Sequence, residues 1–493
     1  MKGLFQWKQL AVAGAAAAAC AAAAAYPPLA QHRSNPHYFM FRGRPAALIG
    51  SGEHYGAVIN RGFDYARYLR TLERDRLNLT RTFSGAYFEP PGAFRIAGNT
   101  LAPPRGRYIG PWARSRRPGA ADGGPKFDLD RWNPAYFKRL KGFVELAGKC
   151  GVVVEMNLFC PFYGEAQWRL SPMNGRNNVN GAGNVARTNV YTLDRNGGLL
   201  RYQEALTRKI VTELAPFDNV YYEICNEPYF GGVTLAWQRR IAQVIATTEK
   251  GLGTRHLISR NVANGSRKVT DPSPLVAILN FHYAFPPAAV AENYRLNRVI
   301  GDNETGFRGT NNAPYRIEGW HFLLAGGGLF NHLDYSFAAG HEGGDFAYPS
   351  TQPGGGNALL RRQLRGLREF IESFDFLSMR PVEGVLPQRL PAGFLGRVLG
   401  RPGAEYAIYV SRDRRRLRLP ETPSAVRSRG ETLKLRLRLP AGEYAARWYD
   451  PLRAAWSVGQ TVRSEGKRAT ELRTPRFLND IALSVRRRGG GKR

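Results

Sequence analysis

Between Pro45 and Phe337 short apolar runs alternate with longer amphipathic stretches, and this βα rhythm restricts the fold more than any other feature of the chain. Ala46–Gly50 (AALIG) precedes Phe63–Arg74, where apolar residues recur at helical spacing. Leu77–Phe83 precedes a helix over Pro134–Lys149, Val152–Leu158 one over Leu199–Leu214, and Asn219–Cys225 one around Leu235–Lys250. His256–Ser259, Val276–Phe281, Arg298–Gly301 and Leu329–Leu333 complete the strands, with a helix near Pro314–Leu324 after the seventh. Eight β-then-α units over about 290 residues predict a closed (β/α)8 TIM barrel. An open doubly wound sheet is disfavoured, because no glycine fingerprint follows the first strand. Long insertions, Ser84–Asp130 and Phe159–Gly198, follow strands two and three, on the rim where a barrel builds its chemistry.

The pattern changes after Ser378. Leu433, Leu435, Leu437 and Leu439 alternate with Lys434, Arg436 and Arg438, the period-two spacing of a half-exposed strand. Tyr406–Val410 and Ile481–Val485 read the same way, so a small all-β sandwich is predicted behind the barrel. The divisions are a catalytic unit over 31–378, the sandwich over 379–485 and a basic tail over 486–493. The chain carries 71 Lys+Arg against 39 Asp+Glu, a net +32, and half of that excess lies after Ser378. Such charge suits polyanions in general. Outward-facing positions on strands account for much of it without a dedicated nucleic-acid partner. A weak polyanion or cell-surface contact through this unit remains the alternative expectation.

The first thirty residues read as an export signal: Lys2 and Lys8, the apolar run Leu10–Ala25, then Tyr26-Pro27-Pro28. The expectation is a secreted, soluble chain, with lipid attachment at Cys20 a minor alternative. Cys150, Cys160 and Cys225 then remain, too few for a disulfide framework. One pair or free buried thiols are equally compatible with the count. No spacing suggests a metal, and no cofactor is predicted.

The chemistry concentrates at two strand ends. Asn226-Glu227-Pro228 follows the fourth strand, and Gly301-Asp302-Asn303-Glu304-Thr305-Gly306 ends the seventh. In a closed barrel these ends face each other across the mouth. Paired carboxyls across a cleft serve glycosidic-bond hydrolysis, one donating a proton to the leaving oxygen and the other attacking the anomeric carbon. Asn226-Glu227-Pro228, Glu304 and Arg81 near the end of strand two together resemble clan A glycoside hydrolases, most closely the cellulase-type family 5, over about Ser34–Phe337.

That resemblance implies a retaining mechanism: Glu227 as acid/base, Glu304 as nucleophile, Asn226 donating to the sugar 2-hydroxyl and Arg81 supporting the nucleophile. It also implies a His-x-Tyr arrangement after strand six, where this chain has His282-Tyr283-Ala284, so Tyr283 is the candidate through a local shift. The family's tryptophan after strand eight has no clear counterpart in Phe330–Tyr335. Trp112 and Trp168, on the long insertions, are candidate sugar-stacking platforms or loop anchors. Glu155, Glu223 and Glu318 are decoy acids, the second expected to face the barrel interior. Asn78, Asn264 and Asn303 match the glycosylation pattern, and the first and last, at strand ends, are read as accidental. The expected function is a secreted β-glycoside hydrolase acting on a poly- or oligosaccharide. A catalytically silent carbohydrate- or polyanion-binding surface protein is the alternative.

Overall fold

The computed structural model describes residues 26–387 and 390–489, so the export signal up to Ala25, with Cys20, lies outside the described residues. Eight parallel strands close into a barrel in sequence order: β1 Leu48–Gly52, β2 Leu79–Phe83, β3 Val153–Asn157, β4 Val220–Glu223, β5 Ile258–Asn264, β6 Ile278–His282, β7 Val299–Thr305 and β8 Leu329–Leu333. The helices that follow barrel strands are α1 Tyr65–Arg74, α2 Pro134–Lys149, α3 Leu200–Leu214, α4 Leu235–Leu252, α5 Ala288–Asn293, α6 Ala313–Leu324 and α7 Ala358–Glu372, with short helices besides over Glu165–Leu170 and Pro423–Arg429. Local chemistry starts them. Asp64 accepts hydrogen bonds from the Ala66 and Arg67 amides at the head of α1, and Asn133 caps α2 ahead of Pro134. The eightfold βα expectation fails once, since 265–277 joins β5 to β6 without a helix.

The barrel interior is layered. Leu48, Leu79, Val153, Tyr221, Ile278, Val299 and Leu329 form an apolar floor, closed from below by Leu29 and by Phe39 of an N-terminal three-stranded sheet that starts at Ala30. Two residues further along most of the strands the lining turns polar. Arg81, Glu155, Glu223, Asn280 and Asn331 are fully buried there, joined by Asn303, four residues past Val299. Gly50 makes room for this layer, because a Cβ there would lie 2.2 Å from Asn331 Oδ1.

Beyond the barrel lie β9 Phe394–Arg401, β10 Glu405–Arg412, β11 Lys434–Leu437, β12 Gly442–Asp450, β13 Gln460–Ser464, β14 Thr470–Arg473 and β15 Asp480–Arg487. An antiparallel sheet runs β9-β10-β15-β12-β13, and β11 pairs with β14 as a separate ribbon. Along β10, Tyr406, Ile408 and Val410 face the ribbon, where Leu435, Leu437 and Leu472 cover them. Ala407 and Tyr409 face the other way and join the barrel's core. The all-β unit is therefore a lopsided sandwich with one face fused to the barrel. Strand β15 runs past the expected end at 485, taking Arg486 and Arg487 out of the basic tail. Lys434 and Arg436 alternate outward from buried Leu435 and Leu437, as their spacing predicts.

Cys150, Cys160 and Cys225 are free thiols. Asn78 and Asn303 are buried and hydrogen-bonded inside the barrel, which removes them as glycosylation acceptors. No helix among the described residues is long and apolar enough to cross a membrane.

Candidate active site

Glu227 and Glu304 meet at the C-terminal mouth of the barrel. One oxygen of each carboxylate and one ring nitrogen of His282 lie within 4.8 Å of one another. Two backbone devices bring them there. Glu227 has a φ of 37°, a left-handed conformation that costs a non-glycine residue of order 1–3 kcal/mol. The turn, closed by the Phe230 amide on the Glu227 carbonyl at 3.0 Å, swings the carboxylate over the mouth. The second device is a bulge in β7 against β6, where register jumps from Phe281–Asp302 to His282–Glu304. The extra residue, Asn303, points down to donate to Glu155 (2.8 Å) and Glu223 (2.9 Å), while Glu304 next to it points up.

Each carboxylate is held by two tyrosines. Tyr55 donates to Glu304 Oε2 at 2.9 Å and Tyr283 to Oε1 at 2.8 Å. Tyr163 donates to Glu227 Oε2 at 2.5 Å and Tyr229 to Oε1 at 3.2 Å. His282 Nδ1 lies between them, 3.1 Å from Glu227 and 3.5 Å from Glu304. Tyr283 has a φ of 53°, and its hydroxyl reaches Glu304 at the mouth.

Arg81 is fully buried beneath the pair. Its guanidinium donates to Glu155 (2.7 Å), Glu223 (2.9 Å), Glu304 (3.1 Å) and Asn226 Oδ1 (2.9 Å). Burial works against the charge of Glu304, but His282 and Arg81 outweigh it and hold the carboxyl down to about 2. His282 is pushed the other way: burial lowers it, and the Glu304 and Glu227 carboxylates raise it above its ordinary value. Below, burial and the charge of Glu155 push Glu223 up to about 8. Glu155 and Glu223 thus belong to the polar layer under the mouth, whereas Glu318 lies in α6 and accepts from Thr305 (3.0 Å) and Arg414 (2.5 Å). A cation would compete at the Glu227–His282–Glu304 cluster with Arg81 and four phenolic donors that already serve the carboxylates.

A cavity of about 440 Å³ opens above the pair, lined among others by Tyr55, Tyr87, Glu89, Tyr163, Asn226 and Tyr283. Phe94, Phe230 and Phe307 stand about its mouth, each roughly 40% exposed (40%, 43% and 40%). Trp112 and Trp168 do not line it. Trp112 pairs with Trp132 in a rim hairpin and is 1% exposed, while Trp168 packs on Phe162 and donates its Nε1 proton to the Val185 carbonyl. Both are loop anchors, since flat platforms need an exposed face. Tyr55, Tyr163, Tyr229 and Glu89 escaped the sequence reading. Their only signal was position, a few residues past a strand end or a proposed acid.

No family model and no curated protein matches the sequence. Solved structures do match. A glycoside hydrolase family 5 structure from Bacteroides vulgatus ATCC 8482 superposes with a TM-score of 0.60 over 94% of this chain and 95% of its own, at 12% identity. A structure described as a glycoside hydrolase gives 0.62 over 94% and 98%, also at 12% identity. The chain has a glycoside-hydrolase-like fold. The likeness spans the barrel and the sandwich together, so the glycoside-hydrolase-like architecture includes the fused C-terminal sheet. At these identities the agreement concerns the fold, and the chemistry rests on the site itself.

Proposed function

We propose that this chain is a secreted, retaining β-glycoside hydrolase of a divergent family 5 type, acting on a poly- or oligosaccharide. The observation that carries the reading is the Glu227–Glu304 pair, whose carboxylate oxygens approach within 4.8 Å at the mouth. That close approach favours the double displacement, for which carboxyl groups stand about 5–5.5 Å apart, over inversion, for which they stand about 6.5–9.5 Å apart.

In the first step a Glu304 oxygen attacks the anomeric carbon, the glycosidic C–O bond breaks, and the Glu227 proton moves to the departing oxygen. In the second, Glu227 takes a proton from water, the water oxygen bonds to the anomeric carbon, and Glu304 leaves as carboxylate. Arg81, Tyr55 and Tyr283 stabilise Glu304 as attacking and leaving group, and Asn226 offers an amide to the sugar beside them. The export signal read at the N-terminus supports action outside the cytoplasm.

The pH dependence tests this reading. The nucleophile must be ionised, and with Glu304 held to about 2 its form does not change between neutrality and about pH 3. Hydrolysis of a panel of 4-nitrophenyl β-glycosides should identify an active sugar. For that substrate, the acid limb of kcat/KM should fall at or below about pH 3. His282→Phe removes a charge that keeps Glu304 low, so its acid limb should move upward. No turnover of any panel member, or a wild-type limb near the unperturbed carboxylate value, contradicts the assignment.

A further inference from the structure

Glu89 is a third carboxylate in the cavity, and the hydrolytic mechanism gives it no task. It stands on the long loop after β2, is 3% exposed, and lines the same space as Glu227 and Glu304. Its partners are neutral: the Tyr87 hydroxyl donates at 3.0 Å to one oxygen and the Asn99 amide at 2.6 Å to the other. No cationic side chain pairs with it among the described residues, in a chain with 71 Lys+Arg. Arg308, which lines the same cavity, is directed to Glu318 at 3.6 Å. A buried carboxylate keeps its charge only when donors satisfy it. Two neutral donors leave lone pairs of both oxygens free. The loop holds the group rigidly, since the Glu89 amide is tied to the Leu101 carbonyl at 2.8 Å.

We infer that Glu89 is a specificity-determining residue that binds hydroxyl groups of the sugar occupying the cavity, and that the sugar is neutral. The inference rests on the proposed hydrolase activity. A vicinal pair of hydroxyls supplies the donors that a carboxylate with two open sites can take, which fixes the orientation of the ring between the glutamates. Glu89 lines the cavity without a cationic partner among the described residues, whereas Arg81 and His282 serve Glu304. An acidic sugar would bring a like charge into this space. The basic exterior therefore says nothing about the glycan that is cut.

The test uses the full-length protein, the 4-nitrophenyl β-glycoside active in the panel, its monodeoxy analogues and the matching hexuronide. Glu89→Gln should lower kcat/KM for the parent glycoside about 10- to 100-fold, the scale of a hydrogen bond to a charged group. In wild type, one or two deoxy analogues should lose a similar factor; in the variant they should lose nothing further, because the partner is already gone. The wild-type protein should turn over the hexuronide at least about tenfold less well than the parent. A uniform loss across parent and analogues in Glu89→Gln, or efficient hexuronide turnover by wild type, overturns the inference. Should the variant fail to fold, the wild-type analogue series and hexuronide still decide. Labelling of Glu304 by a mechanism-based probe separates the cases: with labelling intact, failure falls on Glu89 alone, and without it the hydrolase reading itself fails.

Discussion

Glu304→Ala is expected to reduce kcat on the active glycoside by at least about 10⁴-fold while leaving the fold and sugar binding in place. The size follows from what the carboxylate does in both steps. It forms the covalent bond in the first and is the leaving group in the second, so no neighbouring side chain can substitute without moving. Tyr55 and Tyr283 would lose their acceptor, but both hydroxyls border the cavity and can turn to water. Arg81 keeps Glu155, Glu223 and Asn226. Because Glu304 is held at about 2, below its ordinary value, its charge stabilises the fold above about pH 4.5, so the variant should lose some stability yet remain folded. Calorimetric titration with the intact substrate checks binding and steady-state kinetics check turnover. Retention of a tenth or more of wild-type kcat would exclude Glu304 as nucleophile.

Arg316→Met is expected to have the largest effect on stability, about 3–5 kcal/mol, because it leaves two buried carboxylates without their cation. Arg316 is fully buried in α6 and spans the junction with the sandwich. It bonds Asp480 in two places (3.0 and 2.7 Å), Glu421 in two more (2.8 and 2.6 Å), and Gln363 at 3.2 Å. Burial pushes the Glu421 carboxyl up, yet the Arg316 charge outweighs it and holds the group below the usual value. A depressed folded-state value means stabilisation that is present above about pH 4.5 and lost as pH falls through the lower value. Beside this cluster Trp320 stacks on Tyr409 at 5.1 Å, and Tyr449 packs on Phe370. The sandwich is thus part of the barrel's core rather than a detachable module. Thermal unfolding followed by tryptophan fluorescence should drop by about 5 °C or more in the variant. A midpoint within a degree of wild type would mean that the junction carries little of the stability.

The sequence revealed those features that depend on local pattern. Eight apolar runs locate the eight barrel strands, and period-two alternation at Leu433–Leu439 finds the exposed face of β11. Strand ends point to Glu227 and Glu304 because chain order alone puts those ends at one mouth. What stayed hidden depends on tertiary geometry. The left-handed turns at Glu227 and Tyr283 and the bulge at Asn303 leave no compositional trace, yet they aim the side chains. Trp112 and Trp168 look like platforms until the rim loops fold over them. Not all of the basic excess after Ser378 is outward-facing: Arg412 is buried, and Arg414 stacks on Phe285 at 3.9 Å and pairs with Glu318. No periodicity distinguishes 265–277 as a loop where seven other units carry a helix.

The most direct measurement is covalent capture of the nucleophile. The purified protein would be incubated with a cyclophellitol-type activity-based probe, digested, and the labelled peptide sequenced by mass spectrometry. The account predicts a single ester adduct on Glu304, blocked by prior incubation with the substrate sugar and absent after Glu304→Ala. An adduct on Glu227, Glu223 or Glu89 instead, or hydrolysis of glycosides with no adduct on any of them, would contradict it.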